Sequence, residues 1–389
     1  MKRSITFTIA LIAALTSCSF TQEQSTPLPI LSNDNATTET RHLYANLKTI
    51  QKSHILFGHH DCNSYGHTWN HERNRTDVND VCGSHPAVYG HDFSSITTWG
   101  LTPEQLKENA DYLRTLITEA YNRGGINTIT WHFRNPAVED GKFYYDKEIE
   151  PSIPRMLPGG ELNDRYCTIL GQIADFALSC KGNNGELIPM IFRPYHEYDG
   201  DWFWWGIPYY GSVDEFKQLW QFTHDYLSDT LKVNNFIWAI SPDCKFDTEE
   251  EFLRCYPGDE YVDMVAMDNY WDLRPDGGTK DDFVKKIAIV SRVAHQKDKL
   301  AALSETGLEG IPEADWWTGT LLRLLQTEQV HLSYVMVWRN AHNIPTHFYA
   351  PFPGQPSAED FIRFRNDPYT LFENDIKGIY SADFKIEQQ

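Results

Sequence analysis

The sequence predicts an α/β fold, a (β/α)8 TIM barrel in a single domain, from three observations. Eight short apolar runs bounded by turn residues recur along the chain. Most are separated by segments of helical periodicity, and the runs are apolar on both faces, as buried parallel strands are. No GxGxxG follows the first run, which counts against an open dinucleotide-binding sheet.

In order, the runs are HILFG (54–58), PAVYG (86–90), INTITW (126–131), LIPMIF (187–192), FIWAI (236–240), DMVAM (263–267), LAALS (300–304) and SYVMVW (333–338). Leu113, Leu116, Ile117, Ala120 and Tyr121 mark one intervening helix, and Gly124-Gly125 ends it. Ile169 to Ala177, Phe216 to Leu227 and Phe283 to Ala294 repeat the pattern. Such barrels build their active sites at the C-terminal ends of the strands. Here those ends carry Gly-His-His-Asp (58–61), Gly-His-Asp (90–92), Trp-His-Phe-Arg-Asn-Pro (131–136) and Arg-Pro-Tyr-His-Glu (193–197). The other four carry Ser-Pro-Asp (241–243), Asp-Asn-Tyr-Trp (268–271), Ser-Glu-Thr-Gly (304–307) and Trp-Arg-Asn (338–340). Acids, histidines and tryptophans therefore gather on one rim.

The N-terminus, MKRSITFTIALIAALTSCSF, joins a basic start to an apolar run too short to span a bilayer, the layout of a secretory signal. Its LTSC ending resembles a bacterial lipobox, which implies a signal peptide over 1–17, lipidation of Cys18 and an exported, membrane-anchored lipoprotein facing the periplasm or the outer-membrane surface. Residues 18–40 are polar and rich in Pro, Ser and Thr, so a flexible tether is expected there, with the catalytic domain over 41–389. The formal charge of −20 argues against a phosphate-backbone partner, so no nucleic acid is expected. Seven cysteines show no CxxC spacing. Export permits disulfides, and Cys244 and Cys255 lie close enough in sequence to meet. Seven of the fifteen histidines fall between His54 and His91, but the adjacent His59 and His60 point to opposite sides of an extended segment and do not easily share an ion, so no metal and no cofactor are expected.

Two acids stand out. Glu197 follows the fourth run and Glu305 the seventh, and barrel closure brings both to one mouth. Carboxyl groups flanking a cleft are what glycoside hydrolysis requires, one protonated and one ionised. Glu197 lies in FRPYHEYDGDWFWWG (192–206), and burial against indole rings raises a carboxyl pKa, so it is the better acid. Trp202, Trp204, Trp205, Trp271 and Trp338 all lie near the expected mouth, where flat rings suit sugar faces. Trp238, mid-strand, reads as core.

With these residues in hand, the chain resembles glycoside hydrolase family 26, best known for β-mannanases, through FGHHDCNSYG, HPAVYGHDF, WHFRNP, RPYHEYDGDWFWWG, DNYW, SETG and VWRNAH in that order. The resemblance implies a retaining double displacement on β-1,4-mannosidic bonds of mannan, glucomannan or galactomannan, with Glu197 as general acid/base and Glu305 as nucleophile. It implies that His196 contacts the sugar and the nucleophile, and that Tyr270 hydrogen-bonds the nucleophile with help from Asp268. Trp338 would floor the cleaved site, Arg339 reach the next sugar outward, and His132 and Trp202 lie near the scissile bond. Family members often have Asn where this chain has Asp199, whose carboxylate either perturbs Glu197 or points away. Other members' chemistry leaves mixed-linkage β-glucan and β-1,3-xylan as alternative polymers, exo release of mannobiose as an alternative mode, and a lipid-anchored glycan-binding protein as a non-enzymatic alternative. The insertions at 137–161 and 341–357 are the candidates for closing the cleft, and a monomer is expected.

Overall fold

The computed structural model describes residues 28–139 and 141–386. Cys18 and the expected signal peptide lie outside the described residues. Eight parallel strands form the barrel: β1 Ile55–His60, β2 Val88–Asp92, β3 Ile126–Trp131, β4 Met190–Pro194, β5 Phe236–Ile240, β6 Met264–Asn269, β7 Leu300–Thr306 and β8 Tyr334–Val337. Each pairs with the next, and β8 closes onto β1 in the register Leu56↔Tyr334 to His59↔Val337.

Alternation along each strand sorts the core into two layers. Leu56, Val88, Ile126, Ile191, Ala266, Ala302 and Met336 join the inner cluster, whereas Ile55, Phe57, Ile129, Phe192 and Leu303 pack outward under the helices. The helix Pro103–Arg123 begins with a capping box between Thr102 and Gln105 and ends at Gly124, whose φ of 105° suits glycine. The helices Asn163–Ser179, Val213–Asp225 and Lys280–Gln296 bury the apolar stripes read from the sequence.

Three expectations are corrected. Several strands run past the predicted ends: His59, His60, His91, Asp92, Arg193, Asp268 and Glu305 lie within strands rather than after them. An apolar run stops where side chains turn polar, yet the backbone ladder continues. The expected tether also ends early. Leu31 and Asn33 are buried, the Asn33 amide donates to Val233 O (3.1 Å), the Ser32 hydroxyl to Asp263 (2.9 Å), and Thr37 caps a helix over Thr38–Ile50. The polar residues taken as solvated are spent on caps and anchors, so the packed domain starts near residue 31. Finally, Cys244 and Cys255 are both free and buried, as thiols rather than a disulfide.

The helix Thr38–Ile50 plugs the inner cluster with Leu43, Leu47 and Ile50, all fully buried. Leu47→Ala is expected to destabilise the protein by about 2–5 kcal/mol, because a large-to-small change leaves a cavity in a packed core. Denaturant unfolding measures this.

Candidate active site

Arg193, the penultimate residue of β4, is fully buried under the barrel mouth. Its Nη1 donates to Asp268 Oδ2 (2.6 Å) and to Ser241 Oγ (2.9 Å), and its Nη2 donates to Glu305 Oε1. Two carboxylates on β6 and β7 thus share one guanidinium. Asp268 accepts a further bond from Ser304 Oγ (2.6 Å), and Glu305 Oε2 accepts from Tyr270 Oη (3.0 Å). Burial pushes the Tyr270 phenol up, so it stays a neutral donor. The register along β7 shifts at this point: Met267 faces Leu303, but Asp268 faces Glu305. Such a bulge re-aims a side chain, and here it falls just before Glu305.

Among the described residues no hydrogen bond joins Asp268 to Tyr270; Asp268 reaches Glu305 through Arg193. That arginine, visible in the strand-end reading but given no role there, is the group that sequence reasoning missed. A lone Arg before a proline carries no signal of its own until the topology shows two acids converging on it.

Glu197 stands on a strained turn. Tyr195 and Glu197 both have φ of 52°, the left-handed region that non-glycine residues enter at a cost of roughly 1–2 kcal/mol. The surroundings hold the turn. Glu197 N–H donates to Ser241 O (2.8 Å), Trp205 Nε1 to His196 O (2.8 Å), and Tyr195 shares its hydroxyl with Tyr166 and Thr223. Burial raises the Glu197 carboxyl well above the usual range, and the charges of Asp268, Asp243 and Glu305 raise it further. The Trp202 indole N–H donates to its Oε2 (2.7 Å), which opposes the rise by favouring the ionised form. The indole is therefore a counterweight, and desolvation by the whole site does the raising. No ion pair joins Glu197 to a cation among the described residues.

Oxygens of Glu197, Asp268 and Glu305 lie within 4.8 Å of one another. The positive charge among them is supplied by Arg193.

The other predicted residues fall around this centre, with corrections. His132 Nδ1 bonds Asp92 Oδ2 (2.6 Å); burial lowers its pKa, but the Asp92 carboxylate outweighs it and the net shift is upward. Its ring lies 6.0 Å from Trp338. Trp338, half-buried, stacks on His60 at 4.2 Å and 13°, and Gly90 leaves room for that imidazole, since a Cβ there would lie 2.3 Å from His60 Nδ1. Burial pushes His60 down to about 3, so it is a neutral ring beneath the indole. His196 is buried against His132, Phe203 and Trp205, and no hydrogen bond joins it to Glu305 among the described residues. Arg339 lies over the Tyr65 ring (5.8 Å). Trp204 and Trp205 are core, bracing Phe133 O and His196 O with their N–H groups, so the platforms at the mouth are Trp202, Trp338 and the half-exposed Trp271. Trp238 is core, as read. Glu197, Trp202, Tyr270 and Trp271 line a cavity of about 620 Å³.

Comparison with known proteins agrees with this arrangement. The sequence profile described as glycosyl hydrolase family 26 matches residues 32–341. A mannan endo-1,4-β-mannosidase of Bifidobacterium adolescentis is 32% identical over 369 residues, covering 90% of this chain and 36% of that protein. One from Bacillus subtilis is 31% identical over 263 residues, 64% of this chain and 68% of that protein. Thus the chain spans only about a third of the Bifidobacterium relative. Among solved structures, a family 26 β-mannanase from Bacteroides ovatus is 39% identical with a TM-score of 0.80, covering 91% of this chain and 99% of that one. A family 26 protein from Muricauda sp. is 36% identical with a TM-score of 0.84, covering 91% and 96%. With the profile spanning most of the chain, and the barrel and its carboxylates in place, the chain belongs to glycosyl hydrolase family 26.

Proposed function

We propose that the protein hydrolyses internal β-1,4-mannosidic bonds by a retaining double displacement. The observation that carries this is the close approach of Glu197 and Glu305 oxygens, within 4.8 Å. Retaining enzymes hold their carboxyl groups about 5–5.5 Å apart, whereas inversion needs about 6.5–9.5 Å to admit a water. The named functions of the relatives support mannan as the polymer.

In the first step a Glu305 carboxylate oxygen bonds to the anomeric carbon. The glycosidic C–O bond breaks, and the departing oxygen takes the proton of Glu197. In the second step the Glu197 carboxylate takes a proton from water, whose oxygen displaces Glu305 from the same carbon. Arg193 and Tyr270 hold Glu305 so that one oxygen is aimed at the sugar. Trp338 floors the reacting sugar, His132 and His196 border it, and Arg339 reaches toward the next sugar outward. Burial raises the Glu197 carboxyl well above its usual range, which favours the protonated form that a proton donor needs.

A second reading concerns mode. The hairpin after β1 and the 341–357 segment meet beside Arg339: His67 stacks on Phe352 (3.5 Å, 1°), and Tyr65 lies 5.5 Å from His342. A wall there favours release of mannobiose from chain ends. We also propose export and lipid anchoring through Cys18, on the N-terminal sequence alone; Cys18→Ala should move the protein from membrane to soluble fractions.

Glu305→Ala should abolish reducing-sugar release from mannan while sparing binding, which also separates an enzyme from a glycan-binding protein. Glu197→Ala should lower kcat/KM on mannan by about 10²–10⁴-fold, far less on aryl glycosides with good leaving groups, and azide should rescue it. Unimpaired turnover by either variant overturns its assigned role. Arg193→Lys should cost about 10²-fold in kcat, because the lost fork lets Glu305 move by an ångström or so. Product profiles on mannohexaose, lichenan and β-1,3-xylan test the polymer and the mode together: a ladder from mannohexaose supports internal cleavage, and mannobiose alone supports the end-acting reading.

A further inference from the structure

Asp199, two residues after Glu197, bonds the loop after β5. Its Oδ1 accepts the backbone N–H of Asp243 at 2.6 Å. Both side chains are buried. Asp243 borders the same cavity of about 620 Å³ as Glu197 and Trp202. The segment that carries it is fixed on three sides. Ser241 O accepts the Glu197 N–H (2.8 Å), Ser241 Oγ accepts from Arg193 (2.9 Å), and Pro242 O accepts the Asp268 N–H (2.9 Å). Asp243 therefore cannot shift without disturbing both the acid turn and the strand behind it. Burying a carboxylate in such a place is costly unless it is paired or hydrogen-bonded.

Resting on the reading of Glu197 as the proton donor, we infer that Asp243, held by Asp199, is a positioning residue whose negative charge keeps the Glu197 carboxyl protonated until the leaving oxygen takes the proton.

The charged surroundings support this. Glu197 is faced by Asp268 from β6, Glu305 from β7 and Asp243 from the loop after β5, opposed by the Trp202 N–H. Asp243 is faced by Lys245 and by Lys286 from the helix Lys280–Gln296, with Cys244 N–H and thiol beside it. Lys286 pairs with Asp272 (2.9 Å), and Lys245 pairs with Asp201 (3.8 Å) and lies over the Trp202 ring (4.6 Å); among the described residues no ion pair joins either to Asp243. Burial raises Asp243 to about 6, and burial with the charge of Asp243 raises Asp199 to about 7. The sign follows. As pH rises through this range Asp243 gains its negative charge, and a nearby anion disfavours ionisation of Glu197. The donor then holds its proton to higher pH than it would alone, which extends the alkaline limb of the activity profile.

The test is the pH dependence of kcat/KM on mannohexaose for the full chain. In D243N the alkaline limb should move to lower pH by about one unit; the limb position is read independently of the absolute rate. D243S gives the same readout should D243N fail to fold. D199N keeps an oxygen for the Asp243 N–H, so its limb should stay near that of the wild type, whereas D199A should lose the brace and lower kcat. E197Q on an activated aryl glycoside identifies the owner of the limb. If E197Q loses the limb but D243N and D243S leave it unmoved, the inference about Asp243 is wrong and the donor assignment stands. If E197Q retains the limb, Glu197 is not its source and both fall.

Discussion

Everything at the mouth of this barrel is organised around the Arg193 guanidinium. It has no exposed surface, and it donates to Asp268 and Glu305 at once. Removing either partner from a buried charge pair costs about 3–5 kcal/mol, because the remaining charge is left without water or a counterion. The strand positions of Asp268 and Glu305 are thereby coupled to each other and to β4. The bulge in β7 makes the coupling possible, by setting Glu305 opposite Asp268 rather than one residue away. A planar fork is required because a point charge on a flexible stem does not hold two carboxylates in fixed directions.

The same arginine divides labour between two acids of one type. Glu305 has a guanidinium and a phenol aimed at it. Among the described residues Glu197 has only an indole N–H, set against burial and three neighbouring carboxylates. In the proposed mechanism these unlike hydrogen-bonding surroundings suit Glu197 to proton donation and Glu305 to nucleophilic attack. Proximity alone would not do this, since the oxygens of both lie within the same few ångströms.

The fold was legible because parallel barrel strands are apolar on both faces and their spacing repeats. Glu197, Glu305, Tyr270 and Trp338 were legible because each follows an apolar run in a barrel whose strand ends converge. What sequence could not carry was who touches whom. The sequence sets Asp268 near Tyr270 but does not show that it bonds Arg193; Trp204 and Trp205 looked like sugar platforms, and are buried, Trp205 bonding His196 O in the acid turn and Trp204 bonding Phe133 O. Composition places an aromatic near a site, but only the backbone path decides whether its face meets solvent or core. The strand ends show the same limit. His60 and Asp92 read as loop residues because they are polar, yet they sit in the ladder, where a polar side chain is tolerated because it points into the mouth.

The acid turn shows why so many buried rings surround one carboxyl. Two left-handed residues, Tyr195 and Glu197, store strain that relaxation would release by swinging the carboxyl out of line. Trp205 opposes that with its indole N–H on His196 O, Glu197 N–H is held by Ser241 O, and Tyr195 is itself tied to Tyr166 and Thr223. These bonds are individually worth about 1 kcal/mol, comparable to the cost of each strained residue, so the count of braces has to exceed the count of strained positions. The rings also exclude water, which is what raises the Glu197 carboxyl. Rigidity and desolvation thus come from the same side chains: a looser loop would both misplace the Glu197 carboxyl and hydrate it.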